Sequence, residues 1–216
     1  MKTALTALAL AFAAALPAAA QAQTIVFNTG TPTGGVINAT SIDSVDWIAE
    51  SFTLTKTTTI DTIQTYVNST AADAGLGYTV ALYGARSSSG GLVPNINFQA
   101  TNNNQLDQFT ATYQAGGGWV GQSGLGWTLG AGTYFVAVET DGTGVQGLVL
   151  PTGGLTTLPG AVAQYNDGAS YVADPAIASD AFGLRVTAAA VPEPSSLALL
   201  LAGLGLTAVI VRRRRG

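Results

Sequence analysis

The chain of 216 residues carries eight lysines and arginines against twelve aspartates and glutamates, a formal charge of −4, with no histidine and no cysteine. Without histidine there is no Ser-His-Asp triad, no Cys-His nucleophile pair and no His-bearing zinc site, and without cysteine no disulfide. Four of the cations are Arg212 to Arg215, so residues 23–190 hold only Lys56, Arg86 and Arg185 against nine aspartates, Glu50 and Glu139. That acidic stretch repels nucleic acid and anionic lipid and suits neutral sugars or cations.

Met1 and Lys2 precede an apolar segment from Ala4 to Leu16, then Pro17 and a small-residue region. This is the layout of a secretory signal peptide, with small-x-small cleavage after Ala20 or Ala22; the second is preferred, giving a signal peptide over 1–22 and a mature start at Gln23. Signal peptidase is then one processing partner. The exported domain is expected over 23–190.

Thr24 to Asn28 reads as a short opening strand, and Val36-Ile37 as an edge strand after a turn-rich passage. Around Trp47, the spacing of Asp43, Asp46 and Glu50 fits a helical turn or the entry to a strand. Ala49 to Thr55 alternates cleanly, and Ile60 to Asn68 forms the next strand, with an imperfect alternation in Thr-Ile-Asp-Thr-Ile that leaves room for a bulge or a misplaced boundary. Tyr78, Val80 and Leu82 line one face of a further strand, opposite Thr79, Ala81 and Tyr83. Arg86 to Gly91 reads as a flexible crossing or loop, Asn95 to Phe98 as a brief strand, and Phe109 to Gln114 as another, broken by Gly116-Gly117-Gly118. Trp119 and Trp127, set among glycines, are expected in irregular loops.

Thr133 to Glu139 alternates again, and Asp141-Gly142 suits a type I′ turn, so Val145 to Leu150 is expected to return beside it as a hairpin. Asn166-Asp167-Gly168 marks a turn before Tyr171-Val172, and Phe182, Leu184 and Val186 alternate in a last strand. About eight to ten short strands predict an all-β domain, a single antiparallel β-sandwich of jelly-roll type.

The chain closes on Val191-Pro192-Glu193-Pro194-Ser195-Ser196, an apolar run from Leu197 to Val211, and Arg212, Arg213, Arg214 and Arg215. The run is short for a transmembrane helix, about 22 Å, but has no polar face, and the arginines orient it with residues before Pro192 outside the cytoplasm. Insertion into the bacterial inner membrane, transient or stable, is the expectation. In this order the three parts, Pro192-Glu193-Pro194, the helix over 197–211 and Arg212 to Arg215, resemble the PEP-CTERM sorting signal of Gram-negative bacteria; the likeness covers residues 191–216. It implies export, recognition by an exosortase, cleavage near the motif, and an association with exopolysaccharide or biofilm at the cell envelope, outer surface or extracellular matrix. It leaves the domain's own chemistry open.

Within the domain, Trp119, Trp127 and Trp47, with Tyr113 and Tyr134, could stack on sugar rings or fill the sandwich core. Asp43, Asp46, Asp141 and Asp167 lie beside turns and are weak calcium candidates, the competing reading being an acidic solvated surface. No other cofactor is expected. Glu50 and Glu139, with Asp43 and Asp46, are the carboxylates open to glycoside hydrolysis, which needs two of them flanking one bond. The expected function is noncatalytic, a structural or adhesive envelope protein, with a carbohydrate-binding module as the alternative and a histidine-independent glycan-active enzyme as the third.

Overall fold

In a computed structural model of the chain, the described residues are 23–33, 39–42, 46–69, 75–113, 116–140, 148–166, 170–190 and 203. The compact unit running from Thr24 to Ala189 holds fourteen strands among those residues. They are β1 (Thr24–Asn28), β2 (Ala39–Ile42), β3 (Asp46–Leu54), β4 (Thr58–Ser69), β5 (Gly77–Ser88), β6 (Gly91–Pro94) and β7 (Asp107–Thr112). Then come β8 (Gly116–Gln122), β9 (Trp127–Leu129), β10 (Gly132–Thr140), β11 (Leu148–Pro151), β12 (Val162–Asn166), β13 (Tyr171–Asp174) and β14 (Leu184–Ala188), with a short helix α1 (Ile177–Asp180) before the last strand.

Two antiparallel sheets of seven strands each face one another. The first runs β1-β14-β4-β11-β2, with β8 and β9 on the other edge of β4; the second runs β13-β12-β3-β10-β5-β6, with β7 also on β5. Alternation supplies the core. Ile48, Phe52, Leu82, Val136 and Val138 of the second sheet meet Ile60, Ile63, Val67, Leu184 and Val186 of the first, all buried. The antiparallel all-β sandwich is as expected.

The second sheet also buries its outer face. Ala49, Ala81, Tyr83, Phe135, Ala137 and Tyr165 pack there beneath Val93, Ile96 and Tyr171. Such strands are buried on both faces, which is why β5 and β10 read as nearly continuous apolar runs.

Several local expectations are corrected. Val145 to Leu150 does not return beside Thr133 to Glu139: β10 lies between β3 and β5, while β11 pairs with β2 and β4 in the opposite sheet. Both edges of β10 are taken, so no hairpin partner fits there; residues 141–147, with the expected turn, lie outside the described residues. Ser87 and Ser88 continue β5, which turns straight back into β6 rather than crossing loosely. Asn95 to Phe98 forms no strand. The strand holding Phe109 does end before the glycines, at Thr112, but Gly116 to Gly118 themselves begin β8, which makes seven consecutive pairings to β4. The long β4 supplies backbone partners that glycine, having weak strand preference of its own, accepts readily.

At β4 and β3 the structure settles readings that the sequence leaves open. The register between β14 and β4 pairs Thr187 with Thr62 and Ala188 with Ile60, skipping Asp61, so the irregular Thr-Ile-Asp-Thr-Ile is a bulge. Trp47 and its neighbours enter strand β3 rather than a helical turn. Val36-Ile37 lies outside the described residues.

Candidate functional site

The bulge at Asp61 decides where the tryptophans go. Residues directly opposite in an antiparallel pair share a face, so Trp119 shares the outer face with Tyr66 and Trp127 the inner face with Ile60. Six residues along an unbroken strand would return the side chain to the same face; the skipped Asp61 reverses this. Trp119 and Trp127 therefore stand on opposite faces, about 20 Å apart along β4 at about 3.3 Å per residue. They form no common platform.

Each tryptophan has a different environment. Trp119 carries the Arg185 guanidinium 4.2 Å above its ring and meets Tyr66 edge-on at 5.5 Å, a cation–π and aromatic cluster on the outer face of the first sheet. Its indole N–H donates to Thr31 Oγ1 at 3.4 Å. Trp47 stacks on Tyr165 at 4.4 Å on the outer face of the second sheet. Tyr113 is buried against Tyr78 at 4.7 Å. In all three places another protein group packs against the ring.

Trp127 differs, because it lines a pocket of about 500 Å³ at one end of the sandwich. Trp127 and Leu129 contribute from β9, Tyr134 from β10, Gly84 from β5, and Leu106 with Asp107 from the start of β7. Phe109 supports the indole at 6.1 Å, and the Tyr134 hydroxyl donates to the Gly130 carbonyl oxygen at 3.0 Å, fixing the lip. Opposite Tyr134 in the ladder is Gly84, where a side chain would have filled the space. Sequence reading singled out Trp127 and Tyr134 but passed over Gly84 and Asp107. An isolated glycine inside a clean strand pattern was the available signal, since it marks close approach or an open site.

The glutamates are separated by the same alternation. Glu50 points between the sheets, where its Oε1 accepts the Phe182 backbone N–H and its Oε2 is buried with no hydrogen-bond partner among the described residues. Burial holds its carboxyl well above the usual glutamate range, with the Phe182 N–H opposing only in part. Glu139 faces the outer layer, its Oε1 accepting from the Tyr83 and Tyr171 hydroxyls, each at 3.1 Å. Burial pushes its carboxyl up to about 7 despite both hydrogen bonds. Lying on opposite faces of one sheet, the two cannot flank a single glycosidic bond.

Of the calcium candidates, Asp46 begins β3 opposite Asn166, while Asp43, Asp141 and Asp167 lie outside the described residues. Among the described residues no group of three or more acidic side chains is placed to hold a metal ion. Pro192, Glu193 and Pro194, the apolar run 197–211 and Arg212 to Arg215 also lie outside them. No helix of the described residues is long and apolar enough to cross a membrane.

The two ends of the domain meet. Thr24 of β1 pairs with Ala188 of β14, Ala188 with Ile60 of β4, and Ile60 with Trp127 of β9, one transverse row across the first sheet. At about 4.8 Å per strand, Trp127 stands about 10 Å from Ala188. The Ala189 N–H is still held by the Thr59 carbonyl, two residues before Val191.

Comparison with known families matches residues 190–215 to the PEP-CTERM protein-sorting motif. With that motif the chain is an exported protein of the cell envelope, processed by an exosortase. No curated protein matches the chain.

Proposed function

We propose that the sandwich is a noncatalytic structural or adhesive module, displayed at the cell envelope or in its polysaccharide matrix after exosortase sorting. The observation that carries this reading is the row Thr24–Ala188–Ile60–Trp127, which brings the first and last strands of the domain side by side. A body whose two ends leave together can be held from one end while the rest of its surface remains available to neighbours. The separation of Glu50 and Glu139 removes the pairing on which a glutamate-based hydrolase would depend.

The test is a chromosomal deletion of residues 24–189 that leaves both terminal signals in place. Attachment of cells to a surface, or cohesion of their matrix, should fall, and the intact chain supplied in trans should restore it. Unchanged attachment and cohesion would remove the reading. A second reading, a carbohydrate-binding module for exopolysaccharide, is favoured specifically by the pocket around Trp127 and Tyr134.

A further inference from the structure

We propose that the cleft at the end of the sandwich, between Trp127 of β9 and Tyr134 of β10, binds a neutral sugar unit of a polysaccharide. This rests on the carbohydrate-binding reading and names its site.

The space is of the right kind. Small-ligand sites occupy roughly 300 to 1,000 Å³ and combine apolar and aromatic walls with a few polar groups; this one is about 500 Å³. Trp127 and Tyr134 offer ring surface to the C–H faces of a pyranose, while Asp107 and the backbone around Gly130 offer acceptors to its hydroxyls. Both aromatic residues are half-buried, so their positions are set by packing before any ligand arrives.

The glycines keep it open. A β-carbon added at Gly84 or at Gly130 meets no heavy atom within 4 Å, and neither residue has the positive φ that would demand glycine. Folding therefore does not explain glycine at either place, whereas an open cleft does. By contrast, Gly121 is tight against the β4 backbone, so the chain also uses glycine where sterics require it.

Charge selects the ligand. Asp107 stands exposed at the rim, and the domain has eleven carboxylates against three cations over residues 23–190. A uronate would meet that field unfavourably and a neutral hexose would not. The row from Ala188 through Ile60 to Trp127 sets the cleft two strands from the last residues of β14.

The experiment uses the full chain as its host processes it, carrying Trp47→Phe and Trp119→Phe so that Trp127 is the only tryptophan. Its fluorescence is followed during titration with neutral disaccharides of glucose, galactose and mannose, and with glucuronate. Saturable change with at least one neutral sugar is expected, with glucuronate weaker by about tenfold or more. Gly84→Val should weaken the neutral sugar by about tenfold or more while leaving the melting temperature unchanged, a loss in keeping with blocked aromatic contact. Should that variant melt early, the Trp127 emission response itself decides. No response to any neutral sugar, equal binding of glucuronate, or binding indifferent to a stably folded Gly84→Val overturns the proposal. Such a failure beside normal exosortase processing and normal attachment would remove the cleft as a sugar site and leave the structural reading standing.

Discussion

At the scale of single residues, Glu50 and Glu139 are unusual for a domain so rich in carboxylates, because both are buried and neither faces a cation. Tyr83 and Tyr171 compensate Glu139, and the Phe182 N–H compensates half of Glu50. Both carboxyls hold protons more tightly folded than unfolded, so the folded chain binds more protons and stability falls as pH rises. For Glu139 the contribution is complete below about 4.5 and is lost as pH climbs through about 7. The full excursion is on the order of 3 kcal/mol. The melting temperature should accordingly decline between about pH 5 and pH 8, and Glu139→Gln should flatten that decline; a wild-type melting temperature that rises across the same window would contradict this. Sequence alone could not foresee it, since Glu139 at the end of β10 and Glu50 in β3 look like polar members of alternating strands. Only the second buried layer, in which Val93, Ile96 and Tyr171 pack over it, makes the outer face of β10 an interior.

Among the elements, β4 organises the first sheet, bordered by β14 and β11 on one edge and by β8 and β9 on the other. Its irregular start was legible, and the consequence of that bulge, the separation of Trp119 from Trp127, was not, because it depends on which strands pair with β4. The hairpin expected at Asp141-Gly142 shows the same gap from the other side. A turn signal describes a local bend, whereas β10 and β11 are sorted into different sheets by partners distant in sequence, Ile48 to Leu54 for one and Ala39 to Ile42 for the other. The strand faces around Tyr78 to Tyr83 and Tyr134 to Glu139 were legible because alternation is intrinsic to the strand.

The glycine-rich β8 offers a test at this scale. A β-carbon at Gly121 would stand 2.7 Å from the Gln64 Cα and closer still to the Ile63 carbonyl oxygen, both backbone atoms that cannot swing aside. Gly121→Ala should therefore cost about 1 to 3 kcal/mol in denaturant unfolding, the usual range for overpacking. Gly130→Ala, with open space around it, should cost less than about 0.5 kcal/mol. Equal stability of the two variants would mean that β8 does not approach β4 as described.

For the molecule as a whole, the sorting motif and the sandwich carry separate information. Residues 190–215 give destination and processing, and they were readable directly because the Pro-Glu-Pro motif, apolar run and arginines are contiguous. The cleft is lined by residues far apart in sequence, Gly84, Asp107, Trp127 and Tyr134, which only the folded sandwich assembles. The most direct test of the central claim is intact and tryptic mass spectrometry of the native protein from membrane, envelope and medium fractions, in cells with and without the exosortase. The account predicts a product that begins near Gln23 and ends near Pro192-Glu193-Pro194, and that disappears when the exosortase is removed. A chain that keeps Arg212 to Arg215 in every fraction, whether or not the exosortase is present, would contradict it.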